Sequence, residues 1–275
     1  MLQKFIVFSL FLILASCASK KEVAMSEKAE LYYTSGTQCL VDKRYTEALQ
    51  FLTKAKEIDP ANPKILNNLG MAYYLKGHRD LAVKTIEHAI DIDPKNTDAR
   101  SNLAAIAMKE ENYDRAETLL KEVLSDLLYD KQTITYYNLG IVALKKNQTA
   151  VAKDFFKKSL AEDSSYCPSH FKLGVFAYQN RQFKKALRSF KDASLGVCYQ
   201  DPSPTYYQAL TLIEMGQFDD ARIKLSEIDS RFPKSEYAAK ARMKLMNISH
   251  LETKHNNNST PTFQANGSKM ESPEF

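Results

Sequence analysis

The sequence predicts an all-α fold: a solenoid of six helix pairs with a capping helix at its C-terminal end. Three observations predict it. Only 8 of the 275 residues are Gly and 9 are Pro, so loops must be few and short, while Ala, Leu and Lys are abundant, as helices favour. A 34-residue frame recurs six times. Within that frame, small residues hold two fixed positions and a large apolar residue holds a third. Composition also excludes some classes. With 38 basic and 33 acidic side chains, the net charge of +5 excludes a strongly basic nucleic-acid binder by composition. A 26% charged fraction with 15 Tyr and 14 Phe excludes a chain disordered throughout.

The N-terminus reads as an address. Lys4 precedes a ten-residue apolar run, Phe5 to Leu14. A helix crossing a core of roughly 30 Å needs about 20 residues, so the run has the length of a signal-peptide core instead. Leu14-Ala15-Ser16-Cys17 then resembles the lipobox of bacterial lipoproteins. The resemblance implies that residues 1–16 are a signal peptide, cleaved before Cys17, and that Cys17 carries a diacylglycerol thioether and an acylated amine. One acyl chain anchors only marginally, and three suffice. Ala18, rather than Asp, implies sorting to the periplasmic face of the outer membrane. Residues 17–28 are expected to be a lipidated polar tether. The alternative is an ordinary cleaved signal with a chance cysteine. No later apolar run reaches spanning length, so the remainder is expected in an oxidising compartment.

The six repeats run 29–62, 63–96, 97–132, 133–166, 167–201 and 202–235. Position 20 is always Ala: Ala48, Ala82, Ala116, Ala152, Ala186 and Ala221. Position 8 is always small: Gly36, Gly70, Ala104, Gly140, Gly174 and Ala209. Position 24 is Leu52, Ile86, Leu120, Phe156, Phe190 and Leu225. Position 17 is aromatic in Tyr45, Tyr113, Phe183 and Phe218, and Pro60 and Pro94 stop the second helix at position 32. This pattern resembles the tetratricopeptide repeat, which implies a right-handed superhelical stack of antiparallel helix pairs. A single pair cannot bury its apolar face, so stacking stabilises each repeat. Residues 236–251 form an amphipathic cap with Tyr237, Ala241 and Leu245 on one face, and residues 252–275 are expected to be a disordered tail.

Cys39, at position 11, is a packing residue. Cys167 and Cys198 occupy positions 1 and 32 of repeat five. The start of one antiparallel helix lies beside the end of the next, so the two sulfurs are placed to form a disulfide. Two free thiols near a turn are the alternative.

No motif for catalysis stands out. Nucleotide-binding loops, HExxH, GxSxG and paired CxxC are all missing from the sequence, and no catalytic residue, metal site, cofactor or small-molecule substrate is expected. His78, His88, His170, His250 and His255 are each isolated, and His170 reads as a structural, partly buried side chain. Asp91 and Asp93 sit at a helix end, where they are solvated.

The repeat family implies a concave wall built from positions 5, 9 and 12 of each first helix. In repeats four to six all nine such residues are apolar or aromatic: Tyr137, Ile141, Leu144, Phe171, Val175, Tyr178, Tyr206, Leu210 and Ile213. Position 9, usually polar in the family, is apolar in five of six repeats. An apolar wall suits an amphipathic segment of a protein partner. The competing reading is a wall covered by the chain itself. Tyr33, Thr37, Ile141 and Leu144 stand where carboxylate-clamping repeats place Lys, Asn and Arg, which argues against capture of a C-terminal carboxylate.

Repeat three has 36 residues and no proline at position 32, and its join reads Leu128-Tyr129. Together with Tyr136-Tyr137-Asn138-Leu139-Gly140 and the stretch Ala152 to Leu160, this resembles the type IV pilus biogenesis lipoproteins, the pilotins. The resemblance implies an outer-membrane lipid anchor and a secretin subunit as protein partner. Phe232-Pro233-Lys234-Ser235-Glu236-Tyr237 also resembles lipoproteins of outer-membrane protein assembly. The alternative function is therefore a periplasmic scaffold for peptidoglycan hydrolases or for outer-membrane protein assembly.

Overall fold

The computed structural model describes residues 23–259, with side chains through 253. The expected signal peptide, Cys17 and residues 260–275 of the expected tail lie outside the described residues. Among the described residues the chain is all-α, and it divides into two bodies, one ending at Tyr129 and one beginning at Asp130. That boundary falls at the lengthened join of repeat three.

The N-terminal body contains α1 (23–41), α2 (Tyr45–Ile58), α3 (Pro63–Leu75), α4 (Arg79–Ile92), α5 (Thr97–Lys109) and α6 (Tyr113–Leu124). The C-terminal body contains α7 (Gln132–Lys145), α8 (Thr149–Glu162), α9 (Cys167–Gln179), α10 (Phe183–Ala193), a 3-10 turn (Gly196–Gln200), α11 (Ser203–Glu214), α12 (Phe218–Arg231) and α13 (Glu236–Ser259). Position 17 is the first residue of every second helix, from Tyr45 in α2 to Phe218 in α12.

Local chemistry sets the boundaries. Asn62 caps α3 by accepting from the Lys64 and Ile65 amides, with Pro63 opening the helix where its missing N–H costs nothing. Asn96 accepts from Ala99 and Asn112 from Arg115 in the same way. Within each hairpin the turn passes through one left-handed residue at position 15: Lys43, Gly77, Glu111, Asn147, Arg181 and Gly216 all have positive φ. Only two of the six are Gly, the residue that adopts this region without a Cβ penalty.

Packing explains the fixed positions. The position 20 alanines are 0% exposed, and the position 24 side chains are at most 1% exposed. Position 27 (Ala55, Ala89, Val123, Ser159, Ala193 and Ile228) is equally buried. A Cβ on Gly36, Gly70, Gly140 or Gly174 would come within 2.7 Å of the position 24 side chain of its own repeat. Glycine there lets the two helices of a hairpin close onto that side chain.

Two ends differ from expectation. Residues 23–28, expected in the tether, are already helical, and Ala29 is 3% exposed. The stretch Val23-Ala24-Met25-Ser26-Glu27-Lys28 contains no Gly or Pro to stop a helix that α2 supports from one side. At the other end α13 continues to Ser259, past the predicted end at 251. Arg222 pairs with Glu252 at 2.6 Å, and the Thr253 hydroxyl donates to the Ser249 carbonyl, so the added turn is held against α12.

Candidate partner-binding surface

The nine wall candidates sit on α7, α9 and α11 of the C-terminal body, and they separate into two groups. Val175, Tyr178, Tyr206 and Leu210 are buried, at 1, 3, 3 and 5% exposure. They share one apolar cluster with Phe190, Tyr207, Leu225 and Ile228, and with Ala238, Ala241 and Ile248 of α13. Ring contacts fix them: Tyr206 lies 5.4 Å from Tyr237, and Tyr178 lies 5.9 Å from Phe183. Helix α11 is buried along its whole first stretch, Ser203 to Leu212. The apolar position 9 of repeats five and six therefore belongs to the core, and these four side chains present no open wall.

The other five, Tyr137, Ile141, Leu144, Phe171 and Ile213, are half-buried. Two of these are rings committed to packing. Phe171 lies 5.7 Å from Phe190 and 5.5 Å from Tyr207. Tyr137 lies 5.6 Å from both Phe156 and Tyr166. Burial, reinforced by the neighbouring Tyr166, pushes the Tyr137 phenol up to about 12. Ile213 packs against the cluster that holds α13. Ile141 and Leu144, one turn apart on α7, are half-buried against the cluster of Ala143, Ala152, Phe156 and Phe176, and are the aliphatic pair among the partly accessible wall residues of that helix.

Sequence reasoning did not find the half-buried charge on α9. Lys172 occupies position 6 of repeat five, where repeats two to four carry Asn68, Asn102 and Asn138. Burial, and then repulsion from Lys145, pull the Lys172 amine below its usual range. Lys172 on α9 and Lys145 at the end of α7 are thus near enough to repel, and the break in the Asn pattern was the signal. In the N-terminal body the Asn residues are structural: Asn68 donates to Thr37 Oγ1 at 2.9 Å, and Asn102 donates to Asn67 Oδ1 at 2.9 Å. They join neighbouring repeats.

Cys167 and Cys198 form a disulfide with a Cα separation of 6.1 Å, tying the start of α9 to the 3-10 turn. Cys39 is a buried free thiol that accepts from Arg44 Nη2 at 3.2 Å. His170 places Nε2 2.8 Å from the Ser164 carbonyl and Nδ1 3.9 Å from Asp192, a tie between helix ends. No group of three or more metal-ligating side chains occurs among the described residues.

Family models described as tetratricopeptide repeats match residues 42–77, 63–96, 80–127, 134–166 and 206–235, together more than half of the chain. The chain is a tetratricopeptide-repeat protein. This tetratricopeptide-repeat chain is similar to the type IV pilus assembly protein PilF of Pseudomonas aeruginosa, at 25% identity over 188 residues, covering 66% of this chain and 75% of that protein. A solved structure of Pseudomonas aeruginosa PilF superposes with a TM-score of 0.70 and 21% identity, covering 80% of this chain and 99% of that one. A structure of PilW, described as a widely conserved type IV pilus biogenesis factor, gives a TM-score of 0.66 at 19% identity, covering 77% of this chain and 97% of that one. These two likenesses establish the tetratricopeptide solenoid fold.

Proposed function

We propose that this protein is a non-enzymatic lipoprotein of the outer membrane that holds a type IV pilus secretin subunit at the membrane while the secretin ring assembles. The observation that carries this reading is the similarity to PilF across two thirds of the chain, on a sequence whose residues 14–17 resemble a lipobox. The anchor at Cys17 supplies the address, and the repeats supply the grip. A subunit held at the inner leaflet meets its neighbours at raised effective concentration, which favours ring closure.

The grip narrows from nine residues to Tyr137, Ile141, Leu144, Phe171 and Ile213, because Val175, Tyr178, Tyr206 and Leu210 are committed to the core. Of the remaining five, the α7 edge with its aliphatic pair Ile141 and Leu144 is the part put to the test. The test is Ile141→Asp with Leu144→Asp in the full-length protein, in cells that build the pilus. Secretin multimers disappear from the outer membrane while helicity is kept. Normal multimers would remove the α7 edge from the account. Recovery of a peptidoglycan hydrolase or a barrel-assembly protein in place of secretin from detergent-solubilised envelope would favour the scaffold reading instead.

A further inference from the structure

The charge of the chain is not spread evenly. Between 145 and 200 there are 11 basic and 4 acidic side chains, whereas the rest of the chain carries 27 basic and 29 acidic. The whole positive surplus therefore lies in repeats four and five. On α10, Lys184, Lys185, Arg188 and Lys191 follow one another at spacings of one, three and three, which sets them on one stripe, and Arg181 lies in the turn just before the helix. All five are exposed, and none forms an ion pair among the described residues. The opposite face of α10 buries Ala186, Phe190 and Ala193.

The stripe ends where an apolar tip emerges. Leu195, Val197 and Tyr199 are 56, 90 and 54% exposed, in and just before the 3-10 turn. The turn is held from both sides. The Cys198 disulfide fixes it to α9, and Arg231 lies over the Tyr199 ring at 4.0 Å while donating to the Tyr199 carbonyl at 3.1 Å. A tip held in this way loses little freedom on docking.

We propose that the α10 stripe and the 195–199 tip form a docking surface for an anionic phospholipid bilayer. The cations sit over lipid phosphates while Leu195 and Val197 enter the headgroup layer, with Tyr199 at the boundary. Charge complementarity points to an anionic partner. The form of the apolar part points to lipid: single aliphatic side chains on a projecting turn enter a fluid interface without needing a matching pocket, whereas a peptide is gripped by a recess. Such a surface would set the orientation of the repeats at the membrane, independently of the secretin reading and of the anchor.

The chain contains no Trp, so one introduced indole reports alone. The protein carrying Val197→Trp, with Cys17→Ser so that no acyl chain anchors it, is mixed with vesicles of brominated phosphatidylcholine, with or without phosphatidylglycerol. The expected result is a blue shift and strong quenching only with phosphatidylglycerol present, reversed by high salt. Lys184→Glu with Lys185→Glu and Arg188→Glu weakens the response about tenfold or more. The milder set Lys184→Gln, Lys185→Gln and Arg188→Gln weakens it less, with helicity checked by circular dichroism. A reference indole, Leu81→Trp on α4, stays unquenched. Equal quenching of both indoles, quenching without phosphatidylglycerol, or a response to an acidic polypeptide and none to vesicles would each overturn the proposal.

Discussion

Gly174 faces Phe190 so closely that a Cβ on the glycine would stand 2.7 Å from two carbons of the ring. Phe190 is 0% exposed and has nowhere to retreat. Repeats three and six solve the same problem the other way, pairing Ala104 with Leu120 and Ala209 with Leu225. Gly174→Ala should therefore destabilise the C-terminal body by about 1–2 kcal/mol, overpacking outweighing the gain in helix propensity. Adding Phe190→Leu should recover part of that loss, although Phe190→Leu alone is destabilising through the space it leaves. Urea denaturation of the four proteins gives the coupling. Additive single effects would mean that the two positions do not set each other.

The left-handed residue at position 15 offers a gain of the opposite sign. Lys43 and Glu111 hold φ of 61° and 59° with a Cβ present. Lys43→Gly and Glu111→Gly should each stabilise the N-terminal body by about 0.5–1 kcal/mol, since the strain removed exceeds the entropy that Gly adds to the unfolded chain. The two turns lie in different repeats, so the gains should add. The same change at Gly-bearing turns is already made, at Gly77 and Gly216.

The disulfide closes a loop of sequence separation 31 between α9 and the 3-10 turn. Cys198→Ser should cost about 3 kcal/mol, most of it through the freedom returned to the unfolded chain. Reductant should lower the unfolding free energy of the native protein by the same amount and leave the variant unchanged. A variant as stable as the native chain would show that the turn is held by Arg231 and Tyr199 alone.

The repeat register was legible in the sequence because every residue that defines it is local and periodic. Ala at position 20 and the large residue at position 24 recur because each hairpin needs the same close approach, and the structure buries all twelve. Four of the nine wall residues were misread for a physical reason. An apolar residue at position 9 signals burial without naming the partner, and for Val175 and Leu210 that partner is the chain's own cluster. The helical extension of α13 was missed because its support is an ion pair to Arg222, thirty residues away, which no local pattern announces. Lys172 was legible, as a break in the Asn pattern, but only once position 6 is read as a contact between repeats.

Tyr137 gives the fold a measurable alkaline limit. Its phenol titrates near 12 in the folded protein, because burial and the adjacent Tyr166 disfavour the phenolate, against 10.0 when unperturbed. Between these values the unfolded chain has released the proton and the folded chain has kept it. Stability is therefore full below pH 10 and falls as pH rises through 12, by about 3 kcal/mol in all from this group. Tyr166 is shifted in the same direction, again chiefly by burial, and adds to the slope. Tyr137→Phe keeps the ring against Phe156 and has no proton to lose, so urea midpoints measured between pH 9 and 12 should decline less steeply in the variant. Parallel slopes in the two proteins would place the alkaline sensitivity elsewhere and leave Tyr137 as packing alone.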